Sequence, residues 1–139
     1  MIVLDASVLI KCLLPEDGSQ EARTLLASQP CAAPELIVSE CVNALWKNVR
    51  LARLTDSEAR EAEMILGALG VELVRMGPLT GRALDLALRL EHAAYDCFYL
   101  ALAEQRGLDL VTADGAFMRK VNAARLARTR IRHLWETEP

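Results

Sequence analysis

The sequence predicts an α/β domain, a central parallel β-sheet with α-helices on both sides in three layers, and three observations carry that reading. Apolar runs at Ile2-Val3-Leu4 and at Leu108, Leu110 and Val111 suit strands buried on both faces, and residues 71–74 read as a further short strand. Longer stretches between them carry apolar residues three and four apart, the spacing of helices that bury one side. Strands that alternate with helices pair in parallel, because a parallel neighbour is reached only through a crossover.

In chain order, Ile2-Val3-Leu4 runs directly into Asp5 and Ser7, and Val8, Leu9, Cys12 and Leu13 open a helix at once. Asp5 thus stands at the end of a strand and the start of a helix. It reads either as an N-cap or as an acid delivered to the sheet edge where α/β proteins bind ligands. Pro15 to Gly18 make a turn, and Ser19 is expected to cap a short helix bearing Ala22, Leu25 and Leu26. Pro30 and Pro34 are expected to bracket a loop. Residues 35–52 read as a long helix with apolar positions at Ile37, Val38, Cys41, Val42, Leu45, Trp46 and Val49, and Trp46 is expected in the core. Glu40 and Asn43, three apart, share one margin of that stripe. Thr55 and Glu58 make a capping box for the next helix, which carries Ala59, Ala62, Ile65, Leu66 and Leu69. After the strand at 71–74, Leu79, Ala83, Leu84, Leu86, Ala87 and Leu90 are helically spaced. A further helix over about 94–105 holds Asp96 in its first turn and stops at Gly107. The strand at Leu108 to Val111 leads through Thr112, Ala113 and Asp114 into a helix with Phe117, Met118 and Val121. Ile131, His133 and Trp135, alternating with Arg132, Leu134 and Glu136, mark a last edge strand.

The 139 residues contain no low-complexity divider or repeat, so the chain reads as one domain over 1–139, able to bury roughly 68–70% of its unfolded surface. The longest apolar run, 97–103, is far below the roughly 18 residues of a membrane span. Residue 2 already begins a strand, with no basic region or signal-peptide stretch before it, so a cytoplasmic protein without a membrane partner is expected. Cys12, Cys31, Cys41 and Cys97 form no Cys-x-x-Cys pair and read as reduced core thiols. The net charge of −3 is unevenly spread: Arg119, Lys120, Arg125, Arg128, Arg130 and Arg132 fall in a stretch without an acid, while ten basic and seventeen acidic residues precede Arg119. Such a stretch is either a solvated face or a nucleic-acid contact.

Four acids fall at special places: Asp5 after the first strand, Glu40 beside an apolar stripe, Asp96 in a first helical turn and Asp114 after a late strand. Individually each has a plain structural explanation, as a cap, a helix-dipole partner or a side chain reaching solvent. Strand ends and helix starts of a parallel sheet share one edge, however, so these acids are expected to converge. Converging carboxylates repel unless a cation neutralises them, and all-oxygen donors suit Mg²⁺ or Mn²⁺. A cation so held beside a phosphodiester activates water and stabilises phosphate charge.

These residues carry a family resemblance. Ile2 to Ser7, Pro34-Glu35-Leu36 leading to Glu40 and Asn43-Ala44-Leu45, Tyr95-Asp96 with Tyr99 to Ala103, and Thr112-Ala113-Asp114 with Phe117 together resemble the PIN-domain ribonucleases, most closely the VapC toxins of toxin–antitoxin pairs. The resemblance implies a single PIN domain that cleaves RNA with Mg²⁺ or Mn²⁺, homodimerises, and is neutralised by a small VapB-type antitoxin that also binds operator DNA. By position it makes Asp5, Glu40, Asp96 and Asp114 the catalytic acids, with Asp5, Asp96 and Asp114 as metal ligands and Ser7, Asn43 and Thr112 in support. It also suggests an antitoxin groove near Trp46. Many relatives place another polar or acidic residue after the last motif Asp, where this chain has Gly115 and Ala116. The basic stretch following that motif is expected to meet RNA through Arg119, Lys120, Arg128 and Arg130.

Other chemistries lack their residues. A dehalogenase-type phosphatase needs a second Asp where Ser7 stands, and a dinucleotide site needs a Gly-x-Gly-x-x-Gly that is absent. His92 and His133 have no nucleophile beside them in sequence and read as structural or surface residues. The remaining rival is a catalytically silent PIN-like module that only binds a partner or nucleic acid.

Overall fold

A computed structural model describes residues 1–136 of the chain. Its strands are β1 (Ile2–Leu4), β2 (Cys31–Pro34), β3 (Glu72–Val74), β4 (Leu110–Thr112) and β5 (Ile131–His133), all parallel in the order β3-β2-β1-β4-β5. The helices are α1 (Ala6–Leu13), α2 (Ser19–Ser28), α3 (Leu36–Arg50), α4 (Asp56–Ala68), α5 (Thr80–Leu90), α6 (Ala94–Arg106) and α7 (Gly115–Ala124). The first four lie on one side of the sheet: α1 packs on α2, α3 and β4, and α3 packs on α4. The other three cover the opposite side, with α6 crossing β1, β2 and β4 and α5 resting on α6 and α7. The PIN-like three-layer arrangement expected from the sequence is therefore present.

Burial explains why such short strands hold. Val3, Leu4, Ala32, Ala33, Leu110 and Thr112 are wholly or almost wholly enclosed, so β1, β2 and β4 form an apolar floor between two helical layers. The chain steps from β1 outward to β2 and β3, then returns across the sheet to β4 and β5. The direction reverses between β1 and β4, and this crevice is where such sheets bind ligands.

The structure corrects three local expectations. The segment from Cys31 to Pro34 is the interior strand β2, in register with β1 through Ile2 and Cys31, rather than a loop. Its small side chains, not β-propensity, suit it to a place pressed between helices. Gly18, in the left-handed region at φ +87°, is the residue before α2, and Ser19 is already helical. The Ser19 hydroxyl instead pins the preceding turn, accepting from the Glu16 amide at 2.8 Å and donating to the Leu14 carbonyl at 2.6 Å. Trp46 is not in the core: it is 59% exposed. Ile37, Cys41 and Leu45 form the buried line of α3, whereas Val38, Val42 and Trp46, one step round the helix, face outward. The Thr55–Glu58 capping box forms as expected. No helix among the described residues is long and apolar enough to cross a membrane.

Candidate active site

Asp5, Glu40, Asp96 and Asp114 come from four different elements and line one cavity of about 300 Å³ at the carboxyl edge, over the β1/β4 crevice. Each is held differently. Asp5 follows β1 and caps α1, accepting from the Val8 amide at 3.2 Å and from the Ser7 hydroxyl at 2.5 Å. Asp114 follows β4 and caps α7, accepting from the amides of Ala116 and Phe117 at 2.8 and 3.0 Å. Asp96 lies in the first turn of α6, where Oδ2 meets His92 Nε2 at 2.6 Å. Glu40 reaches in from α3 and accepts a hydrogen bond from the Tyr99 hydroxyl. The cap and the cavity wall are thus the same residue for Asp5 and for Asp114.

Two hydroxyls stitch the crevice. Ser7 Oγ accepts from the Ala113 amide at 2.8 Å while donating to Asp5, and the buried Thr112 hydroxyl accepts from the Asp114 amide at 2.9 Å. Ser7 lies 3.4 Å from Thr112, so the turns carrying Asp5 and Asp114 share one short network. Asn43 also lines the cavity, without a hydrogen bond to an acid among the described residues.

The electrostatics record crowding. Burial pushes the Asp5 carboxyl up to about 6; bonds from Ser7, Thr112 and Val8 oppose this, and the Asp96 charge adds to it. Burial also raises Glu40, with the Tyr99 bond pulling down and Asp96 pushing up. Tyr99 is raised by burial and then by Glu40, so its hydroxyl stays protonated and can only donate to that carboxylate. Among the described residues no three His, Cys, Asp or Glu side chains sit close enough to form a ready-made cation cage. The donors available are nonetheless all carboxylate, hydroxyl and amide oxygens, a set that suits a hard divalent ion and not zinc.

The PIN domain family model matches residues 2–123 of the chain. The chain belongs to the PIN-domain family. Its curated relatives place it in the VapC branch: it is 36% identical over 114 residues to ribonuclease VapC9 of Mycobacterium tuberculosis, covering 82% of this chain and 86% of that one. It is 32% identical over 127 residues to ribonuclease VapC3 of Pyrobaculum aerophilum, covering 88% and 95%. Among solved structures, PAE2754 from Pyrobaculum aerophilum superposes with a TM-score of 0.72 at 25% identity, over 96% of this chain and 83% of that one. The fold is also shared with VapBC2 from Rickettsia felis, solved bound to a DNA fragment from its promoter, with a TM-score of 0.65 at 15% identity over 96% and 98% of the chains.

Within this PIN domain, two cavity residues, Tyr99 and Lys47, and one partner of a cavity acid, His92, carried no site role in the sequence reading. Tyr99 lies one helical turn beyond Asp96, so the spacing held a signal for it. Lys47 lies seven residues after Glu40 and four after Asn43, on the same face of α3, and lines the cavity as its one Lys or Arg. His92 precedes α6, and its ring stacks on Phe117 at 4.8 Å while holding Asp96, a contact that needs the α5–α6 turn and α7 to be in place. The basic residues separate in space. Arg119 and Lys120 lie on α7, which starts at the acidic edge, whereas Arg128 and Arg130 precede β5 at the amino edge, where the Arg128 amide bonds Glu104 and the Arg130 carbonyl accepts from Leu110.

Proposed function

We propose that this PIN domain is a divalent-metal-dependent endoribonuclease, the toxin of a toxin–antitoxin pair in the cytoplasm. The observation that carries the reading is the convergence of four carboxylates from four elements on one cavity, in a chain whose curated relatives are named VapC ribonucleases.

Asp5, Asp96 and Asp114 would hold the ion, Mg²⁺ or Mn²⁺, which when bound lowers the pKa of a coordinated water and draws charge from a phosphate oxygen. The protein's own share is positioning. Ser7 and Thr112 fix the spacing of the turns that carry Asp5 and Asp114. Glu40, raised by burial and oriented by Tyr99, takes the proton from the attacking water. Its partner hydroxyl does not compete for that proton, because Tyr99 is itself pushed up.

The antitoxin is a small VapB-type protein that also carries the pair to operator DNA, and its docking place is the face around Trp46. A groove of about 490 Å³ there is lined by Val42, Leu45, Trp46, Val49 and Ala59. Exposed Val38, Met64 and Ile65 belong to the same two helices, α3 and α4, an apolar surface of the kind partners cover. The toxin acts as a homodimer.

The test is cleavage of a panel of cellular RNAs by antitoxin-free protein with Mg²⁺, with Mn²⁺ and with EDTA, alongside Asp96→Asn. Cutting that requires the metal and falls at least about a hundredfold in the variant is expected, since one metal-bound carboxylate supplies several kcal/mol of transition-state stabilisation. A folded protein that binds RNA or a partner but cuts nothing with either metal would instead be the silent module.

A further inference from the structure

The charges around the acidic cavity point to a path for the substrate. Most basic side chains of the described residues are engaged elsewhere. Arg82 pairs with Glu104, Arg106 with Glu72, Arg132 with Asp109 and Arg89 with Asp85, and Lys120 Nζ donates to the Glu91 carbonyl at 2.8 Å. Two exposed cations next to the acidic cavity make no hydrogen bond or ion pair among the described residues. Lys47 lines the cavity from α3, and Arg119 of α7 lies over Gly115, the residue after Asp114.

The placement of Arg119 follows from Gly115. Helical side chains lean toward the amino end of their helix, so residue 119 lies over residue 115. With no side chain at 115, the guanidinium settles there: a Cβ on Gly115 would sit 3.1 Å from Arg119 Nη1 and 3.6 Å from His133 Nε2. The residue after Asp114 thus makes room for a cation where a longer side chain would push it outward. Lys47 and Arg119 belong to opposite helical layers, on the helix that carries Glu40 and on the helix that Asp114 caps.

Resting on the ribonuclease reading above, we propose that single-stranded RNA crosses the carboxyl edge from α3 to α7, with Lys47 and Arg119 each holding a backbone phosphate on either side of the one that is cut. A polyanion entering a cavity of four carboxylates needs positive charge flanking the reactive phosphate, and these side chains have no other partner to leave. Arg128 and Arg130, at the opposite edge, lie off this path.

The test uses the full chain in an Asp96→Asn background, so that bound RNA stays intact, with a fluorescent single-stranded oligoribonucleotide in Mg²⁺ at several salt concentrations. Lys47→Ala and Arg119→Ala are each expected to lower the slope of log affinity against log salt by about 0.7, and the double variant by about twice that, because each removes one phosphate contact. Arg89→Ala, on the outer face of α5, serves as the comparison and keeps the parent slope. Gly115→Leu, which displaces the guanidinium, follows Arg119→Ala. In the cleaving parent, Lys47→Ala and Arg119→Ala raise KM more than they lower kcat. Unchanged slopes in both alanine variants, with a parent that binds and cuts RNA, would overturn the path and leave the ribonuclease reading standing. A parent that neither binds nor cuts any RNA would remove both.

Discussion

The two edges of the sheet treat acidic residues in opposite ways. At the amino edge Glu104, Glu72 and Asp109 each meet an arginine, with N–O distances of 2.6 Å to Arg82, 2.7 Å to Arg106 and 3.0 Å to Arg132. At the carboxyl edge Asp5, Glu40, Asp96 and Asp114 have no Lys or Arg partner among the described residues and are held by hydroxyls, amides and one imidazole. The difference separates what keeps the domain folded from what it does. Paired acids tie neighbouring elements together; acids gathered without cations store repulsion that burial makes worse, and a fold tolerates that only where a ligand relieves it.

The sharpest way to break the comparison is at the amino edge. Arg82 bonds Glu104 and the Leu126 carbonyl, and the Glu104 side chain is only 5% exposed. Arg82→Ala leaves that carboxylate with the Arg128 amide alone and is expected to cost roughly 3 kcal/mol in urea unfolding, less than a fully enclosed pair because Arg82 is partly solvated. At the carboxyl edge the sign reverses. Asp5 has a folded pKa of about 6 against 3.8 for the free group, so the fold favours the neutral acid: its contribution is complete below about pH 4 and is lost as pH rises through 6. Asp5→Asn keeps a capping side chain and is expected to stabilise the metal-free protein at pH 7 by on the order of 2 kcal/mol, with no gain at pH 4. Melting in EDTA at both pH values checks this. Adding Mg²⁺ should raise the melting temperature of the parent and not that of Asp5→Asn. The smallest effect is expected at Tyr99→Phe. Losing the hydroxyl costs about 1 kcal/mol and removes the bond that holds the Glu40 pKa down, so the acidic limb of the pH–rate profile moves to higher pH. A limb that stays put would take the general-base role from Glu40.

How much of this was legible in the sequence depends on how locally each feature is encoded. β1 and the acid after it, the Thr55–Glu58 box and Asp96 in the first turn of α6 are written in a few neighbouring residues, and they stand where the spacing puts them. β2 was not legible: Cys31-Ala32-Ala33-Pro34 lacks β-branched residues and is bounded by prolines, and only pairing with β1 and β3 makes it a strand. Trp46 fell to a similar limit. Helical period identifies an apolar arc but not how much of it another layer covers, and α3 has more apolar arc than its neighbours reach. In the site, the convergence of the acids follows from parallel topology, whereas the partners do not. Tyr99 for Glu40 spans 59 positions in the chain, and His92 needs the turn after α5 to bring it onto Asp96. The basic stretch reads as one block, yet α7 carries the chain from one edge to the other and divides it.

The strand order also has a consequence in time. A ribosome delivers Asp5 and Glu40 early, but β4, which inserts beside β1 and brings Asp114, arrives 109 residues after Asp5, on the order of ten seconds later. Until then the crevice has only one wall, and Ser7 has no Ala113 amide to receive. A chain abandoned before residue 110 therefore carries at most three of the four acids and no complete site. By this topology the crevice that gathers the acids closes only once β4 has been made.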